Sequence, residues 1–196
     1  MDITVQVASH SHTQFSNSIS QMIESAALKR GTGISKRPPE YIRRKIDEGK
    51  AVIALADDQE VAGFCYIETW GHNKYIANSG LVVNEKFRKL GLATRIKEAA
   101  FELSRKKYPE AKLFGITTSL AVMKINSDLG YRPVTFSELT ADKEFWKGCQ
   151  SCQNFDILTR NSQTNCLCTA MLFDPSPRKS MKQQSQQAEK GTKPND

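Results

Sequence analysis

The stretch 78–105, NSGLVVNEKFRKLGLATRIKEAAFELSR, constrains the fold more than any other part of the chain. It reads as a strand, a short polar turn and an amphipathic helix. Gly80, Leu81, Val82 and Val83 form an apolar, β-branched run that suits a strand covered on both faces. Ile96, Ala99, Ala100 and Leu103 then recur at helical spacing and draw one apolar stripe. Between the two lies Arg88-Lys89-Leu90-Gly91-Leu92-Ala93, basic on one flank and small where backbone must approach something closely. A helix start exposes unpaired N–H groups and a partial positive charge, so a diphosphate is a natural guest at this turn.

The remaining segments alternate in the same way. Residues 3–7 read as a first strand, and Ser11 or Thr13 is placed to cap a helix reaching residue 29, with Ile19, Ile23 and Ala26 on one face. Residues 31–37 form a loop, after which Pro38-Pro39 opens a helix over 40–48 that Gly49 ends. Strands at 51–56 and 61–67 are joined by the polar turn Asp57-Asp58-Gln59-Glu60. A polar loop at 69–74 follows, and Tyr75 begins the strand that leads into the opening stretch. Past the central helix come a strand at 112–117, a helix at 119–128 closed by Gly130, and a strand at 131–136. A short helix or irregular excursion at 140–148 and a strand at 165–172 complete a domain over 1–174. Residues 175–196 hold almost nothing apolar and read as a basic, disordered tail.

A chain of 196 residues is long enough for one domain with a proper core. The formal net charge is +7. The tail carries five basic residues against two acidic ones, so the charge on the domain itself is modest and suits small anions. No aromatic residues interleave with the basic ones, which argues against nucleic acid. No signal peptide and no membrane-spanning window is read, so a cytoplasmic protein, with no membrane partner and with room for a homodimer, is expected.

Arg88-x-x-Gly91-x-Ala93 after a strand, with Phe87 before the Arg, resembles the acyl-CoA signature of the GNAT N-acyltransferases, and the order of elements is similar to that fold. The resemblance implies an α/β (α+β) fold with a mixed central sheet flanked by helices. It also implies that the two strands flanking the central helix splay apart to take a pantetheine arm. Arg88, Lys89, Leu90, Gly91, Leu92, Ala93 and Thr94 would then cradle the diphosphate of acyl-CoA. Backbone N–H groups at Leu81, Val82 and Val83 would hold the thioester oxygen.

Within that family, residues 15–170 resemble the acyltransferase domain of N-acetylglutamate synthases. Three segments carry the likeness: GTGISKRPPEYI at 31–42, ITTSLAVMKINSDLGYRPV at 116–134, and Asn154-Phe155 followed by Arg160-Asn161-Ser162. No amino-acid-kinase domain accompanies them, so the resemblance implies a short, stand-alone form. It puts Arg37, Lys74 and Arg160 on the carboxylates of glutamate, with Ser162 hydrogen-bonding alongside.

Direct transfer from thioester to amine needs a base for the amine, and Glu68 and His72, at the mouth of the third and fourth strands, are the candidates. Family members commonly carry a Tyr four residues before the Gly-aromatic pair to protonate the departing thiolate; here that position is Asn126. Thr117, Thr118 or a water would have to serve instead. Cys65 reads as a buried structural thiol. Cys149-x-x-Cys152 followed by Cys166-x-Cys168 admits structural zinc, free or redox-active thiols, or disulfides; two cysteines two apart on a strand share a face and could meet one ion. The expected activity is transfer of an acetyl or succinyl group from acyl-CoA to the α-amine of glutamate, at the head of arginine biosynthesis. Another amine acceptor, or a non-catalytic CoA-binding or metal-sensing module, are the alternatives.

Overall fold

The computed structural model describes residues 2–30, 37–57 and 59–176. The readings made on residues 31–36, on Asp58 and on the tail from 177 lie outside the described residues. One seven-stranded mixed sheet runs in the order β1-β2-β3-β4-β5-β7-β6. Its strands are β1 (Ile3–Val7), β2 (Ala51–Ala56), β3 (Glu60–Trp70), β4 (Tyr75–Val83), β5 (Lys112–Thr117), β6 (Arg132–Val134) and β7 (Thr169–Phe173). Neighbours are antiparallel except β4 and β5, which run parallel.

Helices α1 (Ser16–Arg30) and α2 (Pro39–Asp47) cover one face, and α3 (Leu92–Lys107) covers the other. Each inserts an apolar stripe. Ile19 and Ile23 of α1 and Ile42 and Ile46 of α2 pack on Ile53, Phe64 and Tyr66. Ile96, Ala100 and Leu103 of α3 pack on Val52, Ala54 and Ile67. Alternate residues of β2 and β3 thus feed two cores, which is why both strands are buried almost throughout. Helix α4 (Leu120–Asp128) is capped by Ser119, whose hydroxyl accepts from Val122 N at 3.4 Å.

A third apolar cluster lies over the β5–β7 half, where Trp146 of α5 (Lys143–Lys147) and Leu158 of α6 (Phe155–Arg160) meet Phe114 and Leu172. Three local readings are corrected here. The first helix is preceded by a 3-10 turn, His10–Phe15, so neither Ser11 nor Thr13 caps it. Strand β3 runs on to Trp70, so the polar loop is shorter than its composition implied. The last strand begins at Thr169, and part of the preceding Cys-rich stretch is the helix α6. No helix among the described residues is long and apolar enough to cross a membrane.

Candidate active site

Strands β4 and β5 pair only through Tyr75, Ile76 and Ala77 against Lys112, Leu113 and Phe114. Beyond that point β5 stays with β7, β4 stays with β3, and the sheet parts. The parting opens a cleft of about 410 Å³. Asn78 to Leu81 form one wall, Gly115 to Thr118 the other, and Val122 and Asn126 of α4 reach in from the side.

The β4 wall is irregular for a reason visible in the register. Phe64 pairs with Val82 and Tyr66 with Ser79, so Cys65 alone faces both Gly80 and Leu81. Such a bulge leaves one residue's backbone groups outside the ladder, here at the cleft wall. Gly80 makes it possible: its φ is +67°, and a Cβ there would sit 2.8 Å from Tyr66 Cδ1 and closer still to Cε1. Cys65 is fully buried, its S–H donates to Ser79 O at 3.3 Å, and burial pushes its pKa up to about 11. That is an inert structural thiol.

After β4 the chain turns into α3 through a fixed elbow. Phe87 is fully buried and anchors it, while Asn84 Oδ1 accepts from Lys86 N at 3.2 Å. Gly91 is the N-cap of α3 in the left-handed region, and no side chain caps the helix. Leu92 is buried and Leu90 exposed. Arg88 is exposed, with an ion pair to Glu85 at 3.3 Å, and Lys89 holds a φ of +67°. Thr94 N and Arg95 N bond back to Gly91 O, whereas the N–H groups from Lys89 to Ala93 donate no backbone bond among the described residues. Successive free amides at a helix start make an anion cradle, strengthened by the helix dipole.

At the other end of the cleft stand Arg37, Tyr41, Glu68 and Trp70. Arg37 Nε donates to the Tyr66 hydroxyl, and its guanidinium lies 5.3 Å and 5.7 Å from the ring centres of Tyr41 and Tyr66. The Tyr41 hydroxyl donates to Glu68 Oε1, which also meets Lys45 Nζ at 2.8 Å. Burial, with the Glu68 carboxylate adding to it, holds both phenols protonated well past their usual range. Tyr41, Lys45 and Tyr66 were not among the residues singled out from sequence. The signal was there: Tyr41 and Lys45 are four apart on α2, and Tyr66, Glu68 and Trp70 alternate along β3.

Deeper in the cleft lies a residue that sequence reasoning also passed over. Lys97 of α3 is 2% exposed and lines the cleft. Its ammonium is 5.5 Å from the Tyr131 ring centre, and burial lowers its pKa. Asn78 beside it is fixed on both sides, accepting from Tyr131 OH at 2.5 Å and donating to Ser104 Oγ at 3.1 Å. Asn126 is buried, its Nδ2 directed at Met171 Sδ at 3.7 Å and its Oδ1 without a hydrogen-bond partner.

Of the other residues singled out, Thr117 lines the cleft and its Oγ1 accepts from Ser119 N at 3.0 Å. His72 and Lys74 are exposed in the turn between β3 and β4, outside the cleft lining. Arg160 is 72% exposed and pairs with Asp156 on its own helix at 3.1 Å. Ser162 is exposed just beyond it. The structure therefore gathers Arg37, Glu68, Thr117 and Asn126 about one cleft and leaves His72, Lys74, Arg160 and Ser162 outside it.

Of the readings the cysteines admitted, structural zinc is not supported. Cys149, Cys152 and Cys168 line the cleft, with Cys166 packed nearby, and all are free thiols. Among the described residues no group of three or more His, Cys, Asp or Glu side chains is arranged to hold a metal ion. Cys166 and Cys168 precede β7 rather than lying on it, so the shared strand face on which the zinc reading depended does not form. Burial, reinforced by the neighbouring thiols, pushes Cys149 up to about 11 and Cys168 up to about 12.

A mixed sheet parted at its parallel seam, next to a helix start offering free amides, is the architecture of an acyl-CoA-dependent N-acyltransferase. The sequence agrees: the model of the acetyltransferase (GNAT) family matches residues 20–122, more than half of the chain, and the chain belongs to that family. No curated protein matches it by sequence. Among solved structures the fold is similar to N-acetylglutamate synthase from Neisseria gonorrhoeae, complexed with coenzyme A and N-acetylglutamate. The TM-score is 0.64 at 15% identity, over 90% of this chain and 36% of that one. The chain thus spans little more than a third of the length of that synthase. It is also similar to Rv2747 from Mycobacterium tuberculosis in complex with CoA, at TM-score 0.62 and 15% identity over 87% of this chain and 98% of that one. A GNAT-family acetyltransferase from Staphylococcus aureus Mu50 gives TM-score 0.62 and 12% identity over 89% of this chain and all of that one (100%). At these identities the likeness is one of fold.

Proposed function

We propose that the enzyme moves an acetyl or succinyl group from acyl-CoA to the α-amine of glutamate, the first step of arginine biosynthesis. The observation that carries the reading is Arg37: it is a guanidinium at the acceptor end of the cleft, oriented by Tyr66 and flanked by two aromatic rings. A planar fork held in place this way suits a carboxylate. The N-acetylglutamate in the Neisseria synthase complex, on the same fold, supports the same acceptor.

In this account the CoA diphosphate sits on the amides of Lys89 to Ala93, and the pantetheine arm enters between β4 and β5. The thioester oxygen meets the bulge at Gly80 and Leu81, where backbone groups stabilise the charge that develops on it. Glu68 draws the proton from the amine, directly or through water, while Lys45 and Tyr41 fix its carboxylate. No covalent enzyme intermediate is required.

A second reading has its own observation. Trp70, Phe114 and Phe145 line the same cleft, and Lys74 and Arg160 do not, which favours an acceptor amine with a larger apolar body. Arg37→Ala separates the two. For glutamate its KM rises at least tenfold while CoA affinity is kept; unchanged glutamate kinetics remove Arg37 from the acceptor site and leave the apolar amine.

A further inference from the structure

We propose that Lys97 is the general acid that protonates the departing CoA thiolate. The inference deepens the acyl-CoA reading above and rests on its donor half, whichever amine is the acceptor. Lys97 lines the cleft at 2% exposure, and among the described residues its ammonium makes no hydrogen bond or ion pair. Among the described residues, the sealed side-chain polar atoms left without a partner are Trp70 Nε1 and Asn126 Oδ1. Lys97 Nζ is not among them, so it keeps access to the cleft.

Holding an ammonium this way is unfavourable, and the fold does little to offset it. The titratable groups that face it are the Cys65 thiol from β3 and the Tyr131 phenol from the segment after α4. Both stay neutral, and no carboxylate pairs with it among the described residues. The Tyr131 ring, 5.5 Å away, offsets only part of that cost. A buried lysine that opens only onto a reaction cleft is placed for a ligand charge that appears during turnover. Asn126, reaching into the same cleft from α4, carries no ionisable proton and cannot supply one.

The step balances without another reagent. The amine nitrogen attacks the thioester carbon, the C–N bond forms and the carbonyl π-pair moves to oxygen. On collapse the C–S bond breaks, its electron pair goes to sulfur, and sulfur takes a proton from Lys97 Nζ. The amine proton, passed to Glu68 and then to solvent, restores the ammonium. Burial lowers the pKa of the ammonium from its usual value and so makes it a stronger acid than a solvated lysine.

The test compares wild type with Lys97→Met, of similar length and without charge, each saturated with CoA as verified by calorimetry. Ultraviolet titration of the bound thiol should show thiolate forming at least one pH unit lower in wild type than in the variant. With any active acceptor, kcat in the variant should fall about 10²–10³-fold, with CoA affinity within about threefold. Its pH–rate profile should also lose the descending alkaline limb. Identical thiol titrations, or a kcat within twofold of wild type, overturn the proposal. If Lys97 shifts the thiol but no glutamate is acylated, the acceptor reading fails and this one stands. If wild type binds no CoA, both fail.

Discussion

Lys45 Nζ lies 2.8 Å from Glu68 Oε1, with the two side chains only 7% and 17% exposed. A charge pair this withdrawn gains little over an apolar pair, yet removing one member leaves the other desolvated and uncompensated. The carboxylate would keep the Tyr41 hydroxyl and the charge of Arg37 but lose the ammonium in direct contact with it. Lys45→Met is therefore expected to lower stability by about 2–3 kcal/mol. Urea denaturation measures it, and a loss under about 0.5 kcal/mol would show that the pair does not hold this end of the cleft together.

Gly80 and Tyr66 form a second dependency. A methyl group at residue 80 meets the Tyr66 ring and must also hold a φ of +67°. Gly80→Ala is expected to cost about 3 kcal/mol, seen as a lower melting temperature. Displacing Tyr66 also releases its hydrogen bond from Arg37, so acceptor affinity falls with stability.

Gly91 makes the opposite prediction. A Cβ there meets no protein atom within 4 Å, so Gly91→Ala carries only the backbone penalty of a left-handed residue, about 1 kcal/mol. The open space is where the diphosphate is expected. CoA affinity should fall more than tenfold, out of proportion to stability, as calorimetry against free CoA would show.

Lys97 also makes stability depend on pH with a definite sign. Its folded pKa is lowered, so between that value and the unfolded value of about 10.4 the unfolded chain binds more protons, and stability rises with pH. Below the folded value the penalty is present in full. Lys97→Met should therefore be more stable than wild type near neutral pH, with the difference shrinking as pH approaches 10.5. Parallel denaturation curves at pH 7 and pH 10 check it.

The fold was legible in the sequence because its elements are locally consistent. Strands at 51–56 and 112–117 were bounded by turn residues, and α3 had a stripe on one side only. The local structure of the turn at 88–93 could be read because a glycine at a helix start and a buried aromatic before it each have a local reason to be there. The Arg37 end of the cleft could not be read as well. Whether Arg37 or Arg160 enters the cleft depends on tertiary packing and not on local pattern, and Arg160 instead pairs with Asp156 one turn back on its own helix. The 165–172 run looked like a strand from composition, but the strand begins at Thr169, which leaves Cys166 and Cys168 off the sheet. Lys97 was hidden in plain periodicity: with Ala100 and Ser104 it occupies i, i+3 and i+7 on α3, a buried stripe with two polar members.

Acyl transfer from CoA to an anionic amino acid in the parted sheet is tested most directly by a thiol-release assay with acetyl-CoA and succinyl-CoA against a panel of amino acids and other amines. Release should depend on glutamate, with one acylglutamate formed per free thiol, and Arg37→Ala should lose that dependence. Thiol release driven instead by cationic or apolar amines, with glutamate no better than buffer, would contradict it.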